Sequence, residues 1–250
     1  MRRIIYLLLC CTILICAVSC SSKKETETTT TSLPREVTNK EAQLLSSVLS
    51  NNAEDKNASF SIISGSSGSG GFSSKGKVDW ANSAVENNIS LLDPEQVDLT
   101  TVAVEDGVFE KFAGLENAMS NANLEPREWV FRGFDPSVYG TDALSQFIIK
   151  LASPAPDNPI LLKQNGAKFL GTQKIEGQLT YMFQNTESVT YFLTKEGELK
   201  KVTARIKGFP NAIEIIFSER GKTNLEVPST DDSYSLDRVS SFYSGSRPPF

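Results

Sequence analysis

Hydrophobic and polar positions alternate with a period of two over most of the chain, and the period lengthens to that of a helix in a few places. Phe60 and Ile62 alternate with Ser59 and Ser61, and Val78 and Trp80 with Lys77, Asp79 and Ala81. Successive side chains of a strand point to opposite faces, so this spacing predicts strands with one face buried. Further strand-like runs cover 89–92, 99–104, 108–112 and 128–131, and the last third adds 167–172, 178–184, 188–194, 198–207, 212–218 and 223–227. Turn-forming residues separate them: Asp93-Pro94-Glu95, Glu105-Asp106-Gly107, Glu176-Gly177 and Lys195-Glu196-Gly197, each with the Gly, Pro or Asp that a reversal favours. Strands that follow one another through tight turns predict an antiparallel meander.

The helical period appears first after Thr38. Thr38 and Glu41 have the spacing of a capping box, and Leu44, Leu45, Val48 and Leu49 follow on one stripe, which predicts a helix to about Asn51. Thr141 is the expected cap of a second helix in which Leu144, Phe147, Ile148 and Leu151 share a face before Pro154 stops it. Asn158-Pro159 opens a third, short helix that ends at Gly166. Helices grouped in two places among consecutive strands predict an α+β domain with a twisted antiparallel sheet. The Gly/Ser-rich run 64–71 lacks the Gly-Lys-Ser/Thr ending of a phosphate loop and reads as a strand connection.

Both ends depart from this pattern. Met1-Arg2-Arg3 precedes an apolar run from Ile4 to Val18, and Ala17-Val18-Ser19 are small. That is the layout of an export signal over 1–19, its apolar part shorter than the ~20 residues a spanning helix needs. Ala17-Val18-Ser19-Cys20 resembles a bacterial lipobox, which implies that Cys20 is diacylated and becomes the N-terminus; an ordinary secreted protein beginning at Cys and an uncleaved anchor are the other readings. The Thr-rich stretch that follows has no apolar periodicity, so 20–36 is expected to be a flexible tether, 37–228 the folded domain and 229–250 a disordered polar tail.

Composition narrows the chemistry. The chain of 250 residues has no His, and all four Cys (Cys10, Cys11, Cys16, Cys20) lie within its first twenty residues. A His-dependent nucleophile relay or a His/Cys metal site is therefore excluded from the domain, and we expect no catalysis, no metal and no cofactor. A net charge of -5 argues against nucleic acid as partner. Glu105/Asp106, Asp231/Asp232 and Asp98 sit in turn-like or tail positions and read as solvated surface, as does the hairpin run Glu219-Arg220-Gly221. The informative residues are aromatic. Phe60, Phe72, Trp80, Phe109, Trp129, Phe131, Phe183 and Tyr191 fall on one expected strand face. From these residues alone a plain core between sheet and helices is the favoured reading, and the lining of an apolar cavity under a curved sheet is the other.

The order of these pieces resembles the LppX/LprG family of actinobacterial cell-envelope lipoproteins, which share the LolA/LolB half-barrel fold. The likeness runs from Thr38 to Pro228. It includes the helix before Ser59-Phe60-Ser61-Ile62, Gly76-Lys77-Val78-Asp79-Trp80, Asp106-Gly107-Val108-Phe109 and Trp129-Val130-Phe131. It continues through Asn165-Gly166-Ala167, Glu196-Gly197-Glu198-Leu199 and Ile215-Ile216-Phe217-Ser218. The resemblance implies a twisted antiparallel half-barrel with helices on its concave side, enclosing an apolar cavity for acylated lipid or lipoglycan. Phe60, Ile62, Trp80, Phe109, Trp129, Phe147, Leu151 and Phe183 are the expected lining. It also implies a monomer held to the extracytoplasmic face of the cell membrane through Cys20, with an envelope transporter as candidate partner. The alternative is a solid-cored envelope interaction or sensor lipoprotein that binds a protein.

Overall fold

The computed structural model describes residues 29–65, 71–91, 98–186, 188–240 and 242. The expected export signal, Cys20, the first part of the tether and the Asp93-Pro94-Glu95 turn lie outside the described residues.

The strands are β1 (Thr29–Glu36), β2 (Asn57–Ser64), β3 (Phe72–Asp79), β4 (Ala84–Leu91), β5 (Asp98–Val104), β6 (Gly107–Phe112) and β7 (Trp129–Arg132), then β8 (Lys168–Ile175), β9 (Gln178–Thr186), β10 (Val189–Leu193), β11 (Leu199–Ala204), β12 (Ile213–Ser218) and β13 (Ser233–Ser235). All thirteen belong to one sheet, in the order β1-β8-β9-β10-β11-β12-β2-β3-β4-β5-β6-β7-β13. Neighbours pair antiparallel except β13, which runs parallel to β7. The sheet is thus two meanders, β2 to β7 and β8 to β12, joined where β12 lies beside β2 with Phe217 opposite Phe60 and Ile215 opposite Ile62. The Glu176-Gly177 turn between β8 and β9 forms as expected. Both residues have positive φ (48° and 79°), the conformation of a type I′ hairpin that matches the strand twist.

Helices α1 (Asn39–Ser46), α2 (Val48–Asp55), α3 (Leu115–Asn121), α4 (Gly140–Ile149), α5 (Pro159–Gln164) and α6 (Leu236–Ser240) complete the α+β domain. One helix was expected where α1 and α2 stand. Its start is as anticipated, because Thr38 caps it and both bonds of the capping box with Glu41 are present. It is interrupted at Ser47, where the hydroxyls of Ser46, Ser47 and Ser50 donate back to the carbonyls of Gln43, Leu44 and Ser47. Such back-bonding competes with the helix ladder and bends it. Thr141 is not the cap of α4; it lies buried in the first turn, and Tyr139 holds the cap position without a side-chain bond. Asn158 does cap α5, accepting from the amides of Ile160 and Leu161. Helix α3 was not anticipated, its buried Leu115, Ala118 and Met119 being too few to set a period.

The sheet reaches beyond both ends of the expected 37–228 domain. β1 pairs with β8 inside the stretch read as tether; main-chain pairing needs no apolar side chains, so composition does not reveal it. Arg35 secures it, donating to both carboxylate oxygens of Glu41 at 2.8 and 2.7 Å and lying 4.4 Å over the Phe169 ring. The Arg35 hydrogen bonds hold Glu41 down to about 2. In the tail, β13 adds to β7, Arg127 donates to the carbonyls of Asp231 and Ser233, and Leu236 and Val239 of α6 are buried. No strand forms at 223–227, where the Thr223 amide is instead taken by Asn57 Oδ1.

Candidate functional site

The inner face of the sheet is the one that the helices cover. Alternation and register assign Phe60, Ile62, Val78, Val85, Ile89, Leu99, Phe112, Val130, Phe183, Val202, Ile215 and Phe217 to it, and all are buried in one continuous cluster. Leu45 and Val48 cover it at α1 and α2, and Leu144 and Ile148 at α4. Each cover helix spans at most ten residues. Burial of this face, at ~25 cal/mol per Å² of apolar area, is the main force holding helices so short.

Of the expected lining, Phe60, Ile62, Trp80, Leu151 and Phe183 are buried in this cluster, and Phe147 packs against it half-buried. Phe109 and Trp129 do not belong with them. Phe109 stands opposite Val102 and Phe131, one residue out of phase with the inward Val108, Glu110 and Phe112. Phe109 and Phe131 pack on the outer face with tilted rings, their centroids 4.9 Å apart, and Trp129 shares their phase on β7. The expectation of one aromatic face fails here because Val108-Phe109 is apolar on both sides of the strand, and composition alone cannot choose the phase.

The cover is pinned by polar contacts. Trp80 Nε1 donates to the Ile148 carbonyl at 3.0 Å and Asn52 Nδ2 to the Leu151 carbonyl at 2.5 Å. Arg220 is no surface hairpin charge. Its buried guanidinium donates to Asn52 Oδ1 at 2.9 Å, Asp55 Oδ2 at 2.6 Å and the Leu199 carbonyl at 2.7 Å, which ties α2 to the sheet.

At the start of α4 is a buried ionic cluster. Arg132 of β7 bonds Glu110 of β6 at 2.7 Å through Nε and both oxygens of Asp142 of α4 at 2.7 Å through its terminal nitrogens. The Tyr139 ring lies 3.8 Å from the guanidinium. Burial disfavours the charge on Arg132, but the hydrogen bonds and charges of Asp142 and Glu110 outweigh it and hold the group above its ordinary value. Beside this cluster, on the inward positions of β3, β4 and β5, lie Ser74, Asn87 and Thr101. Asn87 Nδ2 donates to Ser145 Oγ of α4 at 3.2 Å. Ser74 Oγ, Asn87 Oδ1 and Thr101 Oγ1 are buried and have no hydrogen-bond partner among the described residues, and a buried oxygen left so costs about 1–3 kcal/mol.

Toward the other meander the inner face reaches the surface. A groove of about 380 Å³ is lined by Leu44 of α1 with Tyr181 and Phe183 of β9, and Lys40, Glu41 and Lys195 stand at its rim. Its volume is at the low end for small-molecule sites. Among the described residues no group of three or more His, Cys, Asp or Glu could hold a metal ion, and no helix is long and apolar enough to cross a membrane.

No protein-family model matches the chain, and no curated protein matches it. Solved structures do. The lipoprotein LppX of Mycobacterium tuberculosis aligns over 73% of this chain and 97% of its own at 13% identity, with a TM-score of 0.41. An uncharacterized conserved protein of Thermus thermophilus aligns over 78% of this chain and 98% of its own at 10% identity, with a TM-score of 0.38. A LolA superfamily protein of Nitrosomonas europaea aligns over 73% and 95% at 6% identity, with a TM-score of 0.26.

The sequence pointed to aromatics and missed the inward polar residues. Their signal lies in phase: Ser74 follows Phe72, Asn87 stands between Val85 and Ile89, Thr101 between Leu99 and Ala103, and Glu110 between Val108 and Phe112. Each is a polar residue where its strand's pattern calls for an apolar one.

Proposed function

We propose that the protein binds acylated lipid between the inner face of its sheet and the covering helices, and carries or presents it at the extracytoplasmic face of a cell membrane, tethered through Cys20. The observation that carries this reading is the continuous apolar face that runs under short, separately pinned helices and opens at the Leu44–Tyr181–Phe183 groove. A face closed by a second sheet would have to break a hydrogen-bonded ladder to admit a guest. Here Arg132–Asp142 and Trp80–Ile148 hold the two ends of α4, so an entering acyl chain would lie along its apolar face between those points. Each methylene of such a chain gains roughly 0.8 kcal/mol on leaving water. Three buried oxygens beneath α4 have no hydrogen-bond partner among the described residues, and buried polar groups are normally bonded. The apolar lining suits binding rather than catalysis.

The test is mass spectrometry of the full chain purified in mild detergent from a lipid-containing bacterial host. A lipid mass retained under native conditions and lost on denaturation, in addition to any covalent N-terminal lipid, is the expected result. The double variant L44E/Y181E should lose that adduct and keep its circular dichroism, since both side chains are only partly buried. Parent protein that stays empty after incubation with acyl lipids overturns the proposal in favour of a solid-cored interaction protein.

A further inference from the structure

We infer that Ser74, Asn87 and Thr101 form a hydrogen-bonding site for the uncharged head of the bound lipid, a glycerol hydroxyl or ester of the kind diacylglycerol carries. The inference rests on the lipid-binding reading and names the class of lipid.

Placement comes from the register. Asn87 and Thr101 are directly opposite one another on β4 and β5, and Ser74 of β3 faces Ile89, two residues along β4 from Asn87. Adjacent strands lie about 4.8 Å apart, so the set spans roughly 10 Å, the breadth of a glycerol unit with its ester carbonyls. The three residues are at most 2% exposed. α4 lies against β3, β4 and β5, and its Ser145 hydroxyl is already engaged by Asn87. Apolar Ile89 and Leu99 flank the row on the inner face, so a lipid whose chains follow that face brings its head to the oxygens.

The chemistry of the set selects the head. Two hydroxyls can each donate and accept, and the Asn87 carbonyl accepts; there is no free cation among the three. Next to them the carboxylates of Glu110, opposite Thr101, and Asp142 are both engaged by Arg132. An anionic phosphate or carboxylate head would meet no cation among the three in so buried a place, whereas hydroxyl and ester groups match donors to acceptors without a charge to desolvate.

The experiment measures uptake of 1,2-dioleoylglycerol, dioleoylphosphatidic acid and octadecane by the full chain stripped of lipid in mild detergent, for the parent, T101V and S74A. The parent should take up dioleoylglycerol at least tenfold more tightly than the phosphatidic acid. Each variant should lose about tenfold for dioleoylglycerol, the worth of one hydrogen bond, with octadecane uptake unchanged. Melting temperatures of the empty variants should equal or exceed the parent's, since each removes a buried hydroxyl that lacks a partner. Equal affinity for the two lipids, or variants that bind dioleoylglycerol like the parent, overturns the inference. Variants that melt lower with dioleoylglycerol affinity intact overturn it as well and assign the row to a structural water. Failure to take up any of the three, octadecane included, overturns the underlying lipid-binding proposal instead.

Discussion

Replacing Arg132 by Met tests whether the ionic cluster at the start of α4 holds the cover to the sheet. Met keeps most of the aliphatic volume against Tyr139 and removes the charge that Glu110 and Asp142, at 2% and 1% side-chain exposure, both engage. Removing one partner of a buried pair costs about 3–5 kcal/mol. In a domain of this size a loss of 1 kcal/mol lowers the melting temperature by about 2–4 °C, so R132M should melt about 6–20 °C below the parent. The triple variant R132M/E110Q/D142N should recover most of the loss. Guanidinium unfolding of the full chain in mild detergent, followed by tryptophan fluorescence, measures both variants. A loss below about 1 kcal/mol in R132M would refute the reasoning.

Gly76 lies beneath the Phe60 ring, and a Cβ there would overlap Phe60 Cζ and the Glu86 carbonyl; G76A should lose about 1–3 kcal/mol in denaturant titration, and a midpoint equal to the parent's would refute the close approach. Burial, assisted by the charge of Asp157, pushes Tyr191 from 10.0 up to about 12. The folded phenol therefore keeps its proton longer than the unfolded one, and its contribution is intact below pH 10 and lost as pH rises to about 12. Y191F should escape roughly 2–3 kcal/mol of alkaline destabilisation over that window, and parallel stability curves for the two proteins would contradict it.

Most of the sheet was legible in the sequence because its strands alternate cleanly. Phe60 and Ile62 on β2, or Ile213, Ile215 and Phe217 on β12, leave only one phase in which the inner face is apolar. Where a strand is apolar on both faces, as at Val108-Phe109 of β6, the phase was lost, and Phe109 with Trp129 was assigned to the wrong side. The ends were misjudged for a different reason: β1 is held by main-chain bonds and one Arg–Glu pair, and the β13–α6 segment by Tyr234, Leu236 and Val239 scattered among polar residues. Composition measures average hydrophobicity and is blind to the few positions that dock. The oxygens beneath α4 were missed because a lone Ser, Asn or Thr in a strand is ordinary until register lines up Asn87 and Thr101.

The seam between β12 and β2 also sets an order of events. The β2–β7 meander precedes β12 in the chain, so wherever it forms first β2 is a bare edge until β12 docks. Pairing so distant in sequence is slow to form, and an unpaired apolar strand invites other chains meanwhile. The serines and lysines on the outward positions of β2 and β3, Ser59, Ser61, Lys75 and Lys77, then gain a role in the unfinished molecule. They keep the waiting meander wet on one side, so that only its inner face seeks a cover.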